Sequence, residues 1–453
     1  MNTEISRRAL LGQMGAGLGM VGLAQALQAE GANFAPHFTP RAKRVIHLFM
    51  NGGPFGPDFL DPKPALKKYA GQRPEGADLR TERPTGGLMP SPYQYTHCGK
   101  SGLPVSELLP NLARKHADHL CVLRSVYTDN PNHGPALLLM NNGTMTPRVP
   151  SMGAWVSYGL GTENRNLPAY VVLCPGRPVR FSILWNSAFL PAKNAGMYVN
   201  HSKLDPNTMI PWLKNSRLSN RDQLDQLDLM KALNQEHLRA RGDSDLRLEG
   251  RIEAMETAYR MQFSASDAFD ITREPETMRE RYGKSHFGNG CLLARRLVER
   301  GTRFVQLYYG DRQPWDTHRK HDETTRKLAA DIDQPIATLL SDLEERGMLE
   351  DTLVIWGGEF GRTPVSEGGN GRDHNPHGFL MWMAGGGVKG GYAHGSSDEF
   401  GFKAVENPMP IHDLHATILH LLGINHELLT YRYAGRDFRL TDVSGHVAHD
   451  ILA

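Results

Sequence analysis

The sequence predicts an α/β fold built on a largely parallel sheet, and three observations predict it. Short, wholly apolar runs bounded by Gly, Pro or charged residues recur along the chain and read as buried strands. Segments with helical hydrophobic spacing stand between several of them, the alternation that builds a parallel sheet. Loops rich in histidine and carboxylate follow the apolar runs directly, and open α/β sheets bind ligands beyond the carboxyl ends of their strands.

The chain of 453 residues, 40% of them hydrophobic, is long enough to bury a large core. Its net charge of +2, with acids and bases intermixed, gives no reason to expect a nucleic-acid partner. The four cysteines, Cys98, Cys121, Cys174 and Cys291, show no spacing of a zinc ribbon or redox motif. Residues 1–32 read as an export signal of the twin-arginine type. Ser6-Arg7-Arg8 precedes a short, weakly apolar, Gly-rich run and then small residues. No other run is long enough to span a bilayer, so a soluble, extracytoplasmic mature chain is expected.

Taken in order, Val45 to Phe49 is the first expected strand, closed by Asn51-Gly52-Gly53-Pro54. Asp58 is a candidate ligand, whereas Asp61, directly before Pro62, reads as turn chemistry. Ser106 to His116 is expected as a short helix leading into a strand, His119 to Arg124. Pro135 suits the first turn of a helix, which places His133 near a helix N-terminus. That histidine could be a ligand, a nucleophile or a cap-region residue. A strand is expected over 168–174. Residues 217–285 read as a helical insertion whose Leu and Met stripe packs inward. Asn289 to Arg300 is an amphipathic helix, and Arg303 to Tyr309 the strand after it. Beyond that strand stand Asp316, His318 and His321, followed by a helix from Thr324 to Arg346.

Thr352 to Trp356 is the strand that organises the rest. After it come Glu359, Arg362, Asp373, His374 and His377, expected in a loop dense in Gly and Pro, before a further apolar run from Phe379 to Ala384. The last helix, His412 to Gly423, carries three histidines that read as structural. Mixed carboxylate and imidazole donors on two consecutive strand ends suit Zn²⁺, Mn²⁺ or similar ions, and a pair of such ions can clamp a displacement at phosphorus.

The segments ISRR, HLFMNGGPFGPDFLDPKP, WDTH, GGEFGRTP, GRDHNPH, AGGGVKGGYAHGSSDEFG and HDLHATILHLLG together resemble a bacterial family known only as domain of unknown function fifteen-oh-one. That family looks like a branch of the alkaline-phosphatase and sulfatase superfamily. The resemblance covers residues 40–453 and implies an α/β/α sandwich around a mixed, largely parallel sheet. It implies one or two divalent ions (zinc, manganese or calcium) held by Asp58, Asp316, His318, Glu359, Asp373, His374 and His377. It places Phe360 at a superfamily metal-binding histidine, and His133 at or near the superfamily nucleophile. Asn51 stands where the superfamily carries a metal-binding aspartate. No Ser, Thr or sulfatase-type Cys stands at the nucleophile position.

The implied activity is hydrolysis of a sulfate or phosphate ester of a small molecule or glycan. His133 would act as nucleophile or acid/base, and Arg362 would steady the oxyanion. The rivals are a non-catalytic protein that binds an anionic glycan, and a metal-dependent mutase of the same superfamily.

Overall fold

The structure is a computed structural model, and it describes residues 35–75, 81, 83–210, 217–241 and 246–453. The expected export stretch lies outside them. In chain order the principal elements are β1 (Arg44–Phe49), β2 (Leu120–Tyr127), α1 (His133–Asn142), α2 (Met152–Leu160), β3 (Tyr170–Cys174) and β4 (Met197–Asn200). There follow α3 (Asn220–Arg241), α4 (Leu246–Phe269), α5 (His286–Glu299), β5 (Phe304–Tyr308), α6 (His321–Glu345) and β6 (Thr352–Gly357). The last are β7 (Gly361–Glu367), β8 (Gly371–Asn375), β9 (Phe379–Ala384), β10 (Tyr392–His394), β11 (Met409–Pro410) and α7 (Ile411–Leu421).

Nine strands form the central sheet, in the order β10-β2-β9-β6-β1-β5-β3-β4, with β11 also paired to β2. β1 lies at its heart, parallel to both β5 and β6, so that Leu48 stands opposite Leu307 on one side and Trp356 on the other. Among these strands β9 alone runs antiparallel to its neighbours β2 and β6. This is the expected mixed, largely parallel sheet.

Side chains alternate across each strand, as the period of two requires. Ile46, Leu48, Val305, Leu307, Val354 and Trp356 face one layer with α5 and α6. Val45, Phe49, Phe304, Tyr308, Leu353 and Ile355 face the other with α1, α2 and α7. Both faces are covered, which is why the strands read as unbroken apolar runs. No helix among the described residues is long and apolar enough to cross a membrane.

Three local expectations are corrected. The segment expected as a helix from Ser106 starts only at Pro110, because Leu103–Ser106 pairs with Tyr95–Cys98 as a hairpin. The Gly- and Pro-rich stretch after β6 is a β-hairpin, β7 against β8, turning at Gly368-Gly369 with positive φ at both glycines. In α3 and α4 the apolar stripe is divided: Leu227, Ile252 and Met261 are buried, whereas Leu224, Leu229, Leu233 and Met255 are exposed.

Candidate metal centre

The parallel strands β1, β5 and β6 release their chains at the same edge of the sheet, and their loops build the site. At the end of β1 the chain turns through Gly52, whose φ is +115°. A Cβ added there would meet the backbone N of Asp316 at 2.4 Å, so only glycine lets the two loops approach this closely. The Gly52 N–H donates to both carboxylate oxygens of Glu359, at 3.1 and 3.2 Å, just past the end of β6. Gln313 donates to the same carboxylate at 3.2 Å. Glu359 is wholly buried.

His133 is the first residue of α1, and its ring lies between the two carboxylates. Nδ1 is 2.7 Å from Glu359 Oε1 and Nε2 is 3.3 Å from Asp316 Oδ2. Phe360 closes one side of that ring at a centroid distance of 4.7 Å, and His374 packs edge-on at 4.3 Å. At the position the resemblance gives to a metal-binding histidine there is therefore an aromatic wall.

Asp316 is the hub. Its Oδ1 accepts from Arg362 Nη2 at 2.7 Å and lies 2.9 Å from His318 Nε2 and 3.2 Å from His374 Nε2. Those two Nε2 atoms are themselves 3.0 Å apart. Burial works against the charged form of Asp316, yet bonds to His133, His318 and His374 and the charge of Arg362 hold its carboxyl well below the usual range. The bond to Asp316, against some burial, raises the pKa of His318, and burial foremost lowers that of His374.

Asp373 and His374 come from β8. Asp373 is wholly buried, accepts the Arg83 N–H on Oδ2 at 2.9 Å, and has no hydrogen-bond donor on Oδ1. Glu367, at the end of β7, bonds to His318 Nδ1 and also takes Arg83 Nη1 at 3.1 Å. A carboxylate on Nδ1 fixes the ring and aims Nε2 into the cluster, the usual outer support of a ligating histidine.

Two groups of ligand atoms thus lie within 4.8 Å of one another, His133/Asp316/His374 and His318/Asp373/His374. The fit to an ion is good on three counts. The spacing of the His318, His374 and Asp316 donors is close to the ~3.4 Å edge of a tetrahedron with zinc-length bonds. One buried carboxylate oxygen has no donor, and an outer carboxylate orients one imidazole. Two imidazoles among the donors suit zinc or manganese; calcium, which takes six to eight oxygens, fits poorly.

Six of the nine predicted site residues bring a possible ligand atom to this cluster: His133, Asp316, His318, Glu359, Asp373 and His374. Arg362 is also present, but its side chain is wholly buried. Nε donates to Gly53 O at 3.1 Å, Nη1 to Arg372 O at 3.4 Å and Nη2 to Gly52 O and Asp316. It steadies the loop and the hub carboxylate and does not present itself to an oxyanion. Asp58 is not in the cluster; it is buried against His321, with Oδ2 2.8 Å from Nε2. His377 is exposed and packs against Phe402, because Asn375 turns the chain outward by donating to Gly378 O and Phe402 O. Asn51 does not stand in for a ligand either: its Nδ2 donates to Gly310 O at 3.0 Å and to Arg312 O, tying β1 to the loop after β5. Arg83, Gln313 and Glu367 were not foreseen, since each acts through a neighbour and stands in no motif.

Fold and site together define a class: an open α/β protein that gathers imidazoles and carboxylates where parallel strands end. The chain belongs to the family described as protein of unknown function (DUF1501), whose model matches residues 42–452. No curated protein matches it. Among solved structures it is similar to TAB5 alkaline phosphatase, in a mutant form with Mg bound in the M3 site, at 11% identity over 86% of this chain and 99% of that one, with a TM-score of 0.38. It is similar also to the PsFucS1 sulfatase from Pseudoalteromonas sp., at 13% identity over 90% and 71% of the two chains and a TM-score of 0.34. A third is the phosphonate monoester hydrolase SpPMH from Silicibacter pomeroyi, at 14% identity over 68% and 67% and a TM-score of 0.31.

Proposed function

We propose that the protein is an exported, metal-dependent hydrolase of sulfate or phosphate esters carried by a small molecule or glycan. The observation that carries the reading is the convergence of His318 Nε2, His374 Nε2 and Asp316 Oδ1 beside the undonated Oδ1 of buried Asp373. These four residues, with His133 and Glu359 adjoining, would hold zinc or manganese. Such an ion supplies Lewis-acid polarisation of an ester oxygen and an acidified water.

The chain's own residues do the rest. His133, with a carboxylate at each ring nitrogen, is placed to hold a proton and to give it up at Nε2. Both nitrogens being so engaged, the ring is better suited to proton transfer or ligation than to nucleophilic attack. Arg362 keeps the Asp316 carboxylate ionised and pointed inward. The export part of the reading rests on Ser6-Arg7-Arg8; replacing both arginines with lysine should leave the precursor in the cytoplasm.

Elemental analysis of the dialysed, folded protein tests the first step, and hydrolysis of 4-nitrophenyl phosphate and sulfate with the retained ion tests the second. A retained ion with measurable turnover supports the proposal. A second reading, a protein that holds an anionic glycan without turnover, is favoured by His133 standing at the nucleophile position and Phe360 at a ligand position. A folded protein that retains no ion would decide for it.

A further inference from the structure

Behind the cluster lies a second chain of polar groups, sealed from solvent. Asp58 Oδ2 is 2.8 Å from His321 Nε2, and His321 Nδ1 is 2.6 Å from Thr317 Oγ1. Asp58 is 0%, His321 1% and Thr317 4% exposed. With the carboxylate on Nε2, that nitrogen carries the proton and donates it, so Nδ1 offers its lone pair to the threonine hydroxyl.

An acid, a histidine and a threonine in this order have the make-up of a nucleophilic triad. Their placement speaks against that use. Thr317 stands between Asp316 and His318, whose side chains meet at 2.9 Å in the cluster, while its own hydroxyl is bonded to His321. All three groups are buried, which keeps the hydroxyl away from any substrate in solution. What the set does is join segments. Asp58 belongs to the turn after β1, Thr317 to the loop after β5, and His321 opens α6. The backbone continues the seam: His321 N donates to Asn370 O at 2.8 Å, and Arg372 N to Thr317 O at 3.1 Å. Both acceptor and donor partners lie at the hairpin that bears Asp373 and His374.

We propose that Asp58, His321 and Thr317 are positioning residues, which clamp the backbone between Asp316 and His318 so that carboxylate and imidazole meet at one point. The inference rests on the ion-binding reading above. A buried polar seam of this kind costs desolvation, and it is repaid only when every member keeps its partner. His374 meets both neighbours of Thr317 from inside the cluster; the Thr317 hydroxyl holds the backbone between them from behind it.

The test is cobalt titration of the whole folded protein, followed through the visible absorption of the bound ion, for the wild type and for Thr317→Val, Thr317→Ser and Asp58→Ala. Loss of the hydroxyl in the valine variant should weaken cobalt binding by about 10–100-fold, the usual cost of removing an outer support, and shift the absorption bands. Serine, which keeps the hydroxyl, should restore both. Wild-type affinity and spectrum in the valine variant would overturn the proposal, and so would a serine variant no better than valine. If the valine variant does not fold, Asp58→Ala, which removes the acceptor for His321 Nε2, decides in the same way: weakened binding supports the clamp and wild-type binding refutes it. A wild type that takes up no cobalt refutes the ion-binding reading itself, and this inference with it.

Discussion

Replacing Asp373 with asparagine should move stability in opposite directions with and without an ion. The carboxylate is wholly buried, and one of its oxygens has no donor. Among the described residues the cation paired with it, Arg83 Nε, is 4.0 Å away on a side chain that is half exposed. Without an ion, an underpaired buried charge is a burden, and leaving a buried polar atom without a partner costs about 1–3 kcal/mol. Asparagine has the same shape and can still accept the Arg83 N–H. The ion-free variant should therefore be as stable as the wild type, or more stable by about 1 kcal/mol.

With an ion at 100 times its dissociation constant, the wild type gains about 2.7 kcal/mol by mass action. The variant lacks one charged ligand and should gain little. Thermal melts of both proteins in chelator and in excess zinc or manganese read the two signs together. A variant whose ion-induced rise in Tm equals that of the wild type would show that Asp373 is no ligand. A variant much less stable in chelator would show that the carboxylate is a structural anchor.

His133→Gln should lower ester hydrolysis by about 10²–10⁴-fold, the usual worth of a general acid; initial rates with the two 4-nitrophenyl esters check this, and an undiminished rate would remove the role. Gly52→Ala places a methyl 2.4 Å from Asp316 N at a φ of +115°, so it should cost about 1–3 kcal/mol in backbone strain alone. Denaturant unfolding should reveal this together with lost ion uptake. Burial pushes His47 and His415 down to about 3, and His116 and His201 down to about 4. The unfolded chain protonates these histidines below about pH 6.5 while the native one does not, so their stabilisation is complete above pH 6.5 and is lost as pH falls toward 4. About 2 kcal/mol per histidine should disappear between pH 7 and pH 5. Denaturation at the two pH values tests it, and His47→Leu should flatten the dependence.

The sheet was legible because both of its faces are covered. Runs such as VIHLF and TLVIW are apolar at every position or nearly so, and only a doubly buried strand demands that. The hairpin of β7 and β8 was not legible, since Gly361, Pro364, Gly368 and Gly369 mask its alternation. Asp316, His318 and Glu359 could be found from their place just beyond strands. Asp58 also stands beyond a strand, but the turn at Gly56 carries it inward to His321, and spacing along the chain does not reveal such a turn. Arg362 lies beside the cluster but is employed differently from the expectation, because sequence does not show which backbone carbonyls its N–H groups will meet. The division of the stripe in α3, with Leu229 and Leu233 outward, was hidden for a related reason: periodicity shows that a helix has an apolar face without showing what covers it.

The hairpin stands apart from the nine-stranded sheet, yet it brings two of the four central ligands, Asp373 and His374, to meet Asp316 and His318. Half of the centre therefore rides on a buried hairpin that shares no ladder with the sheet. An ion bound there would act as a rivet between hairpin and sheet. Amide exchange along Gly361–Asn375 would then slow on loading and quicken on chelation, while the strands of the sheet keep their protection in both states.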